Sequence, residues 1–156
     1  MGDTKNLVKT LSTQFGVERK SLLPILQGIV EKKNYLTKES MLEVARVLDI
    51  SAAEVYGTAS FFSFLDTKER GKYVVRVCKS ITCDMKGKEE IISTIENVLK
   101  IKLGETSQDK KFSLLETNCI GLCADGPAML INDEFYIKLN NDKIREILGK
   151  YLRNEI

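Results

Sequence analysis

Four cysteines carry the residue types and spacing in this chain that could do chemistry: Cys78, Cys83, Cys119 and Cys123. They form two tight pairs, Cys78-Lys-Ser-Ile-Thr-Cys83 and Cys119-Ile-Gly-Leu-Cys123, with 35 residues between them. Thiolates grouped in this way bind a metal or an iron–sulfur cluster, exchange electrons as a redox pair, or close disulfides. The chain contains no histidine. That removes Ser-His-Asp and Cys-His catalysis, His-ligated zinc, haem on a proximal His, and Rieske-type ligation. No paired carboxylates stand in a suggestive setting, so no catalytic residue is predicted and the weight moves towards electron transfer.

The spacing ranks the remaining readings. Structural disulfides are not needed by a helix-rich chain of this size in a reducing compartment. A thioredoxin-type redox pair wants Cys-x-x-Cys at a helix N-terminus, and both spacings here are longer. Zinc knuckles also favour Cys-x-x-Cys. A 2Fe–2S cluster spreads its sulfurs wider and needs two thiolates on each iron, so a two-plus-two pattern fits it. Plant-type ferredoxin spacing, with three close cysteines and one distant, does not match. The iron–sulfur reading is favoured. Its rivals are a zinc assembly module ligated by all four cysteines and a disulfide oxidoreductase.

Two glycines flank the second pair, Gly121 within it and Gly126 just beyond. Glycine lets backbone N–H groups approach sulfur closely, and such hydrogen bonds help set a cluster's potential. An ordinary turn is the competing reading, above all for Gly126. Pro127 stiffens the exit, where a cis bond is conceivable.

The elements that must position these residues follow from periodicity. The expected class is α/β: an N-terminal small helical bundle, residues 1–66, then a thioredoxin-like α/β domain with a mixed four-stranded sheet, residues 71–156. In the first part, Leu7, Val8, Leu11 and Phe15 share a helical face that Gly16 ends. Ser21 is expected to cap a second helix with Pro24 in its first turn, and Thr37 a third. Ser51-Ala-Ala-Glu54 reads as a capping box, with Gly57 placed to end the fourth helix. Phe61, Phe62 and Phe64 are too close to share one face; burial between the two halves of the chain is the favoured reading, and an exposed partner surface the alternative.

Beyond the polar stretch Asp66–Gly71, residues 72–77 read as a strand running into Cys78. Residues 87–100 read as a helix, and 112–117 as a second strand leading to Cys119. A hairpin about Asn132-Asp133 joins 128–131 to 134–137, and Asn140 or Asn141 caps a last helix with Ile144, Ile147, Leu148, Tyr151 and Leu152 inward. The order β-α-β-β-β-α, with one right-handed crossover, is satisfied by a small mixed sheet flanked by helices.

Composition bounds the rest. The hydrophobic fraction of 43% and charged fraction of 29% are those of an ordinary globular chain of 156 residues. A net charge of +2 with both signs interspersed points to neither nucleic acid nor an anionic membrane. No apolar run approaches a membrane span. The first residues carry an acid and lack an apolar core, and Asn6 fails the myristoylation pattern, so a cytoplasmic, stand-alone chain is expected.

The sequence from about Leu22 to Leu148 resembles a known family, the thioredoxin-like 2Fe–2S subunits of the peripheral arm of NADH:quinone oxidoreductase. It equally resembles their homologues in NAD(P)-linked and electron-bifurcating hydrogenases and NAD-dependent formate dehydrogenases. Carrying the resemblance are Glu54-Val-Tyr-Gly-Thr-Ala-Ser-Phe-Phe62, Val77-Cys78 with Cys83, Gly104-Glu-Thr, and Glu116-Thr-Asn-Cys-Ile-Gly-Leu-Cys123 followed by Pro127. The family often has Gly or Asn where Ser80 stands, and commonly Ala where Gly126 stands. The resemblance implies one 2Fe–2S cluster held by Cys78, Cys83, Cys119 and Cys123. It implies one-electron transfer within a multi-subunit NAD(P)H-linked oxidoreductase, with a soluble hydrogenase the first expectation. It also implies a larger flavin- and NAD(P)H-binding partner subunit, docked on the N-terminal helices, and a further iron–sulfur or hydrogenase catalytic subunit.

Overall fold

The computed structural model describes residues 2–155; Met1 and Ile156, at the outer ends of the two expected domain ranges, lie outside them. The chain divides into two compact units, Met1–Glu69 and Arg70–Ile156.

The first unit holds four helices, α1 (Gly2–Phe15), α2 (Leu22–Lys33), α3 (Lys38–Leu48) and α4 (Ala52–Phe61). Their apolar stripes meet in one core that includes Val8, Ile25, Leu26, Ile29, Val44 and Val55, all buried. Thr37 caps α3 by accepting the Ser40 N–H, and Ser51 caps α4 by accepting the Glu54 N–H. Two local expectations change. Ser21 precedes α2, but its hydroxyl donates to the Phe15 carbonyl at 2.7 Å, finishing α1 instead of capping α2. Gly57 does not end α4, which runs on to Phe61. The i, i+4 positions Val55 and Ala59 stay buried across that glycine, so core contacts outweigh its poor helix propensity. Phe61 is 80% exposed, and Phe62 and Phe64 are exposed too.

In the second unit the sheet order is β2-β1-β3-β4. The strands are β1 (Tyr73–Cys78), β2 (Phe112–Thr117), β3 (Met129–Ile131) and β4 (Glu134–Tyr136). β1 and β2 are parallel, as a helical crossover requires, and the β3–β4 hairpin adds antiparallel to the other side of β1. The crossover helix is α6 (Lys88–Leu99), and α7 (Asn141–Leu152) closes the unit behind an Asn140 cap that accepts the Lys143 N–H. Ile95, Phe112, Leu114, Met129, Ile144 and Leu148 are buried in the core that the sheet shares with these helices. All six residues of β1 are buried, as in a strand central in the sheet and covered on both faces. Leu152, expected inward, is exposed at the last turn of α7.

A short helix, α5 (Ile81–Met85), lies inside the first cysteine pair, where the sequence predicts none. Five residues are too few for a periodic signal. Among the described residues no helix is long and apolar enough to cross a membrane.

Candidate iron–sulfur site

Strand pairing brings the two cysteine pairs together. The parallel register sets Cys78, the last residue of β1, beside Thr117, the last residue of β2, and Cys119 follows two residues later. The end of β1 is held on both sides: the Cys78 N–H donates to the Ala128 carbonyl at 3.1 Å and the Lys79 N–H to the Thr117 carbonyl at 2.9 Å. The chain then turns into α5, which carries Cys83 and buries it. From Cys119 the second segment turns through Gly121, at φ +83°, into a single 3-10 turn, Cys123–Asp125. Both Gly121 and the cis Gly126–Pro127 bond lie in this segment. Lys138 fastens it, its N–H donating to the Asp125 carbonyl at 2.7 Å and its ammonium pairing with the Asp125 carboxylate at 3.2 Å.

All four thiols are free. Cys78 and Cys83 are buried, Cys119 is exposed and Cys123 half-buried. Within the second pair the sulfurs stand 3.1 Å apart, and the Gly121 N–H donates to Cys119 Sγ at 3.4 Å. Across the pairs, the Ile120 N–H reaches Cys78, and Cys123 interacts with Cys83 and with the Ser80 hydroxyl. Ser80, which stands two residues past Cys78, thus faces both pairs; the Cys78 thiol donates to its Oγ at 3.3 Å. Among the described residues no three or more His, Cys, Asp or Glu are arranged to hold a metal ion.

The local field treats the pairs differently. Burial pushes the Cys78 thiol up, but hydrogen bonds with Ser80, Cys83 and the Ile120 N–H outweigh it and bring Cys78 below its ordinary value. The Cys123 thiol is raised by its hydrogen bond to Cys119, by burial and by the neighbouring thiolate charge. Two thiolates this close repel unless a cation sits with them.

The donor set fits a 2Fe–2S group. Four thiols without competing carboxylate or imidazole are the donors such a cluster takes, two to each iron. Backbone N–H groups of Gly121 and Ile120 and the Ser80 hydroxyl already approach the sulfurs. Gly126 leaves the room this needs: a Cβ there would lie 3.0 Å from Cys83 Sγ. The sequence leaves Gly126 nearly even between an ordinary turn and close backbone approach; the contact with Cys83 selects the second.

Three nearby residues contribute without a local sequence signal. Ser80 stands out in the sequence only as a departure from its family's usual residue. Lys86 donates to the Cys123 and Ala124 carbonyls. Lys88, buried at the start of α6, pairs with Asp84, Glu89 and Glu116, and so links the α5–α6 corner to β2. Its burial opposes the charge, but the three carboxylates prevail and raise its affinity for a proton. A lysine inside an acidic, helix-starting stretch reads from sequence as an ordinary surface cation.

Comparison with known proteins shows the family. Residues 8–152 match the family model described as thioredoxin-like 2Fe-2S ferredoxin. A subunit of NADH-quinone oxidoreductase from Aquifex aeolicus is 32% identical over 137 residues, covering 88% of this chain and 86% of that protein. The corresponding subunit from Rickettsia typhi is 31% identical over 153 residues, covering 96% of this chain and 89% of that protein. The fold also matches an NAD+-reducing NiFe hydrogenase structure with a TM-score of 0.76 at 22% identity. That match covers 85% of this chain but only 23% of the hydrogenase chain.

Proposed function

This chain belongs to the thioredoxin-like 2Fe–2S ferredoxin family, and on that footing we propose that it is a one-electron carrier subunit of a multi-subunit NAD(P)H-linked oxidoreductase. In this reading Cys78, Cys83, Cys119 and Cys123 hold its 2Fe–2S cluster. The observation that carries it is the meeting of two cysteine pairs at the adjacent ends of two parallel strands, in a chain without histidine. When bound, the cluster supplies one-electron redox chemistry. The protein's own residues do the rest. β1 and α5 hold Cys78 and Cys83 in a buried setting. Ser80, Ile120 and Gly121 direct hydrogen bonds at sulfur, and Gly126 keeps side-chain volume away from Cys83.

The partners follow from the relatives, which are named as subunits of NADH-quinone oxidoreductase. A larger flavin-bearing, NAD(P)H-binding subunit is the electron source or sink, and the helices of residues 1–66 are its docking surface. The exposed Phe61, Phe62 and Phe64 support that role. The hydrogenase context expected from the sequence and the quinone-reducing context of these relatives differ in the terminal chain, and so in what co-purifies.

Anaerobic purification with metal analysis and EPR tests the reading. About two irons and two acid-labile sulfides per chain are expected, with an S = 1/2 signal on reduction. NAD(P)H should produce that signal only when the flavin-bearing partner is present. Zinc without acid-labile sulfide, or reduction by NAD(P)H in the isolated chain, would overturn it. A hydrogenase catalytic chain among the co-purifying subunits supports the first context, and a quinone-reducing arm the second.

A further inference from the structure

Lys86 is bonded to one cysteine residue of each pair. Its backbone N–H, at the end of α5, donates to the Cys83 carbonyl at 3.2 Å. Its ammonium donates to the Cys123 carbonyl at 3.1 Å and the Ala124 carbonyl at 2.8 Å. Its stem runs along the same gap: a Cβ on Gly126 would stand 3.0 Å from Cys83 Sγ and 3.5 Å from Lys86 Cδ. Both acceptors of the ammonium are uncharged, so these bonds leave a net positive charge beside the cysteine loop. The neighbouring acids are matched to other cations, Asp84 to Lys88 and Asp125 to Lys138.

We propose that Lys86 is a positioning residue for the cluster, latching the Cys123 turn to the end of the Cys83 helix and placing a fixed cation beside the sulfurs. The proposal rests on the four-cysteine ligand reading above. Two consequences follow from elementary electrostatics and geometry. Reduction adds one negative charge to a group already surrounded by thiolates, so a nearby cation stabilises the reduced form more than the oxidised one. The latch also restrains the turn bearing Cys123, the half-buried ligand, and so slows its departure from iron. A lysine that merely solubilised the surface would do neither.

Three variants of the full chain separate charge from tether. Lys86→Met removes both, Lys86→Gln keeps a hydrogen-bond donor without charge, and Lys86→Arg keeps both. The readouts are the midpoint potential from an EPR-monitored redox titration and the rate of iron loss to an excess of chelator. Lys86→Met is expected to lose iron several-fold faster and to show a more negative potential. Lys86→Gln is expected to lower the potential with a smaller effect on iron loss, and Lys86→Arg to restore both. Native potential and native iron loss in Lys86→Met would overturn the proposal, as would failure of Lys86→Arg to restore either. The ligand reading is tested separately by Cys123→Ser: if that variant keeps the native EPR signal and native iron content, Cys123 is not a ligand and both ideas fall. If it alters them while Lys86→Met changes nothing, only the role of Lys86 is lost.

Discussion

The two cysteine pairs have the same chemistry and opposite settings. Cys78 ends a fully buried strand and Cys83 is the one buried residue of a short helix, each cysteine 1% exposed. Cys119 and Cys123 ride on a glycine-bearing loop and a single 3-10 turn, one exposed and the other half-buried. Cys78 is fixed by the strand pairing that holds the sheet together, and the Cys83 side chain by its burial. The second pair is fixed by a few polar bonds, from Lys86 and Lys138, whose donors are exposed. One side of the site is therefore a rigid wall, and the other can adapt at little cost to the core. A cluster carrier gains from both: a wall that sets geometry and excludes water, and a loop that lets the group enter and lets its edge approach a partner.

The largest expected effect breaks this contrast directly. Replacing a ligand by serine substitutes a shorter, harder donor that must move towards iron to bind. Cys83 has little room to follow, because its side chain is buried. Cys119 has more room to, because it is exposed on a loop. Cys83→Ser is expected to abolish cluster retention, with iron falling to a small fraction of the native content. Cys119→Ser is expected to keep a measurable fraction, with an altered EPR signal. Iron and sulfide content of the two variants, purified side by side without oxygen, checks this. Equal retention would remove the distinction between wall and loop.

The same contrast explains what can be read from the sequence. The helices of the first unit and the strands leading to Cys78 and Cys119 announce themselves by long apolar periodicities, and their caps Thr37, Ser51 and Asn140 sit where expected. The cysteines are legible because their residue type is rare and their spacing is tight. α5 is not legible, being one turn long, and neither is the full burial of β1, since alternating residues look alike whether one face is covered or both. Gly57 misleads because a glycine inside a helix and a glycine after one are the same letter; the burial of Val55 and Ala59 decides between them. Ser80, Lys86 and Lys88 act through contacts with residues tens of positions away, a relation no local pattern carries.

A middle-sized effect is expected from volume pressed against the wall. Gly126 faces Cys83 Sγ so closely that even a Cβ would meet it at 3.0 Å, tighter than nearly all such contacts. An alanine can be accommodated by a shift of a few tenths of an ångström. A branched residue adds further methyls where Cys83 Sγ, Lys86 Cδ and the Cys123 carbonyl all lie within 4 Å of the Cβ. Gly126→Val is expected to fold, to cost about 1–3 kcal/mol as overpacking does, and to lower cluster occupancy well below that of Gly126→Ala. Denaturation midpoints with iron content separate the two contributions. Native occupancy in Gly126→Val would mean that Cys83 is less firmly held than its burial indicates.

The smallest effect probes a side chain that faces both pairs, Ser80. The Cys78 thiol donates to the Ser80 hydroxyl, but a thiolate has no proton to give, so with the sulfur deprotonated the hydroxyl turns and becomes the donor. Such a bond stabilises negative charge on sulfur, and more so after reduction, when that charge is larger. Ser80→Ala removes the bond without changing a ligand, a backbone donor or a charge. Because Ser80 precedes α5 without capping it, the helix should not be disturbed. The cluster is expected to stay bound, while its midpoint potential falls by on the order of tens of millivolts, the scale of a fraction of one hydrogen bond in a one-electron couple. Ser80→Thr, which keeps the hydroxyl, should return most of the shift. A potential unchanged in Ser80→Ala would leave the backbone N–H groups of Ile120 and Gly121 as the donors that matter, and would place the tuning of this site in its loop rather than at its wall.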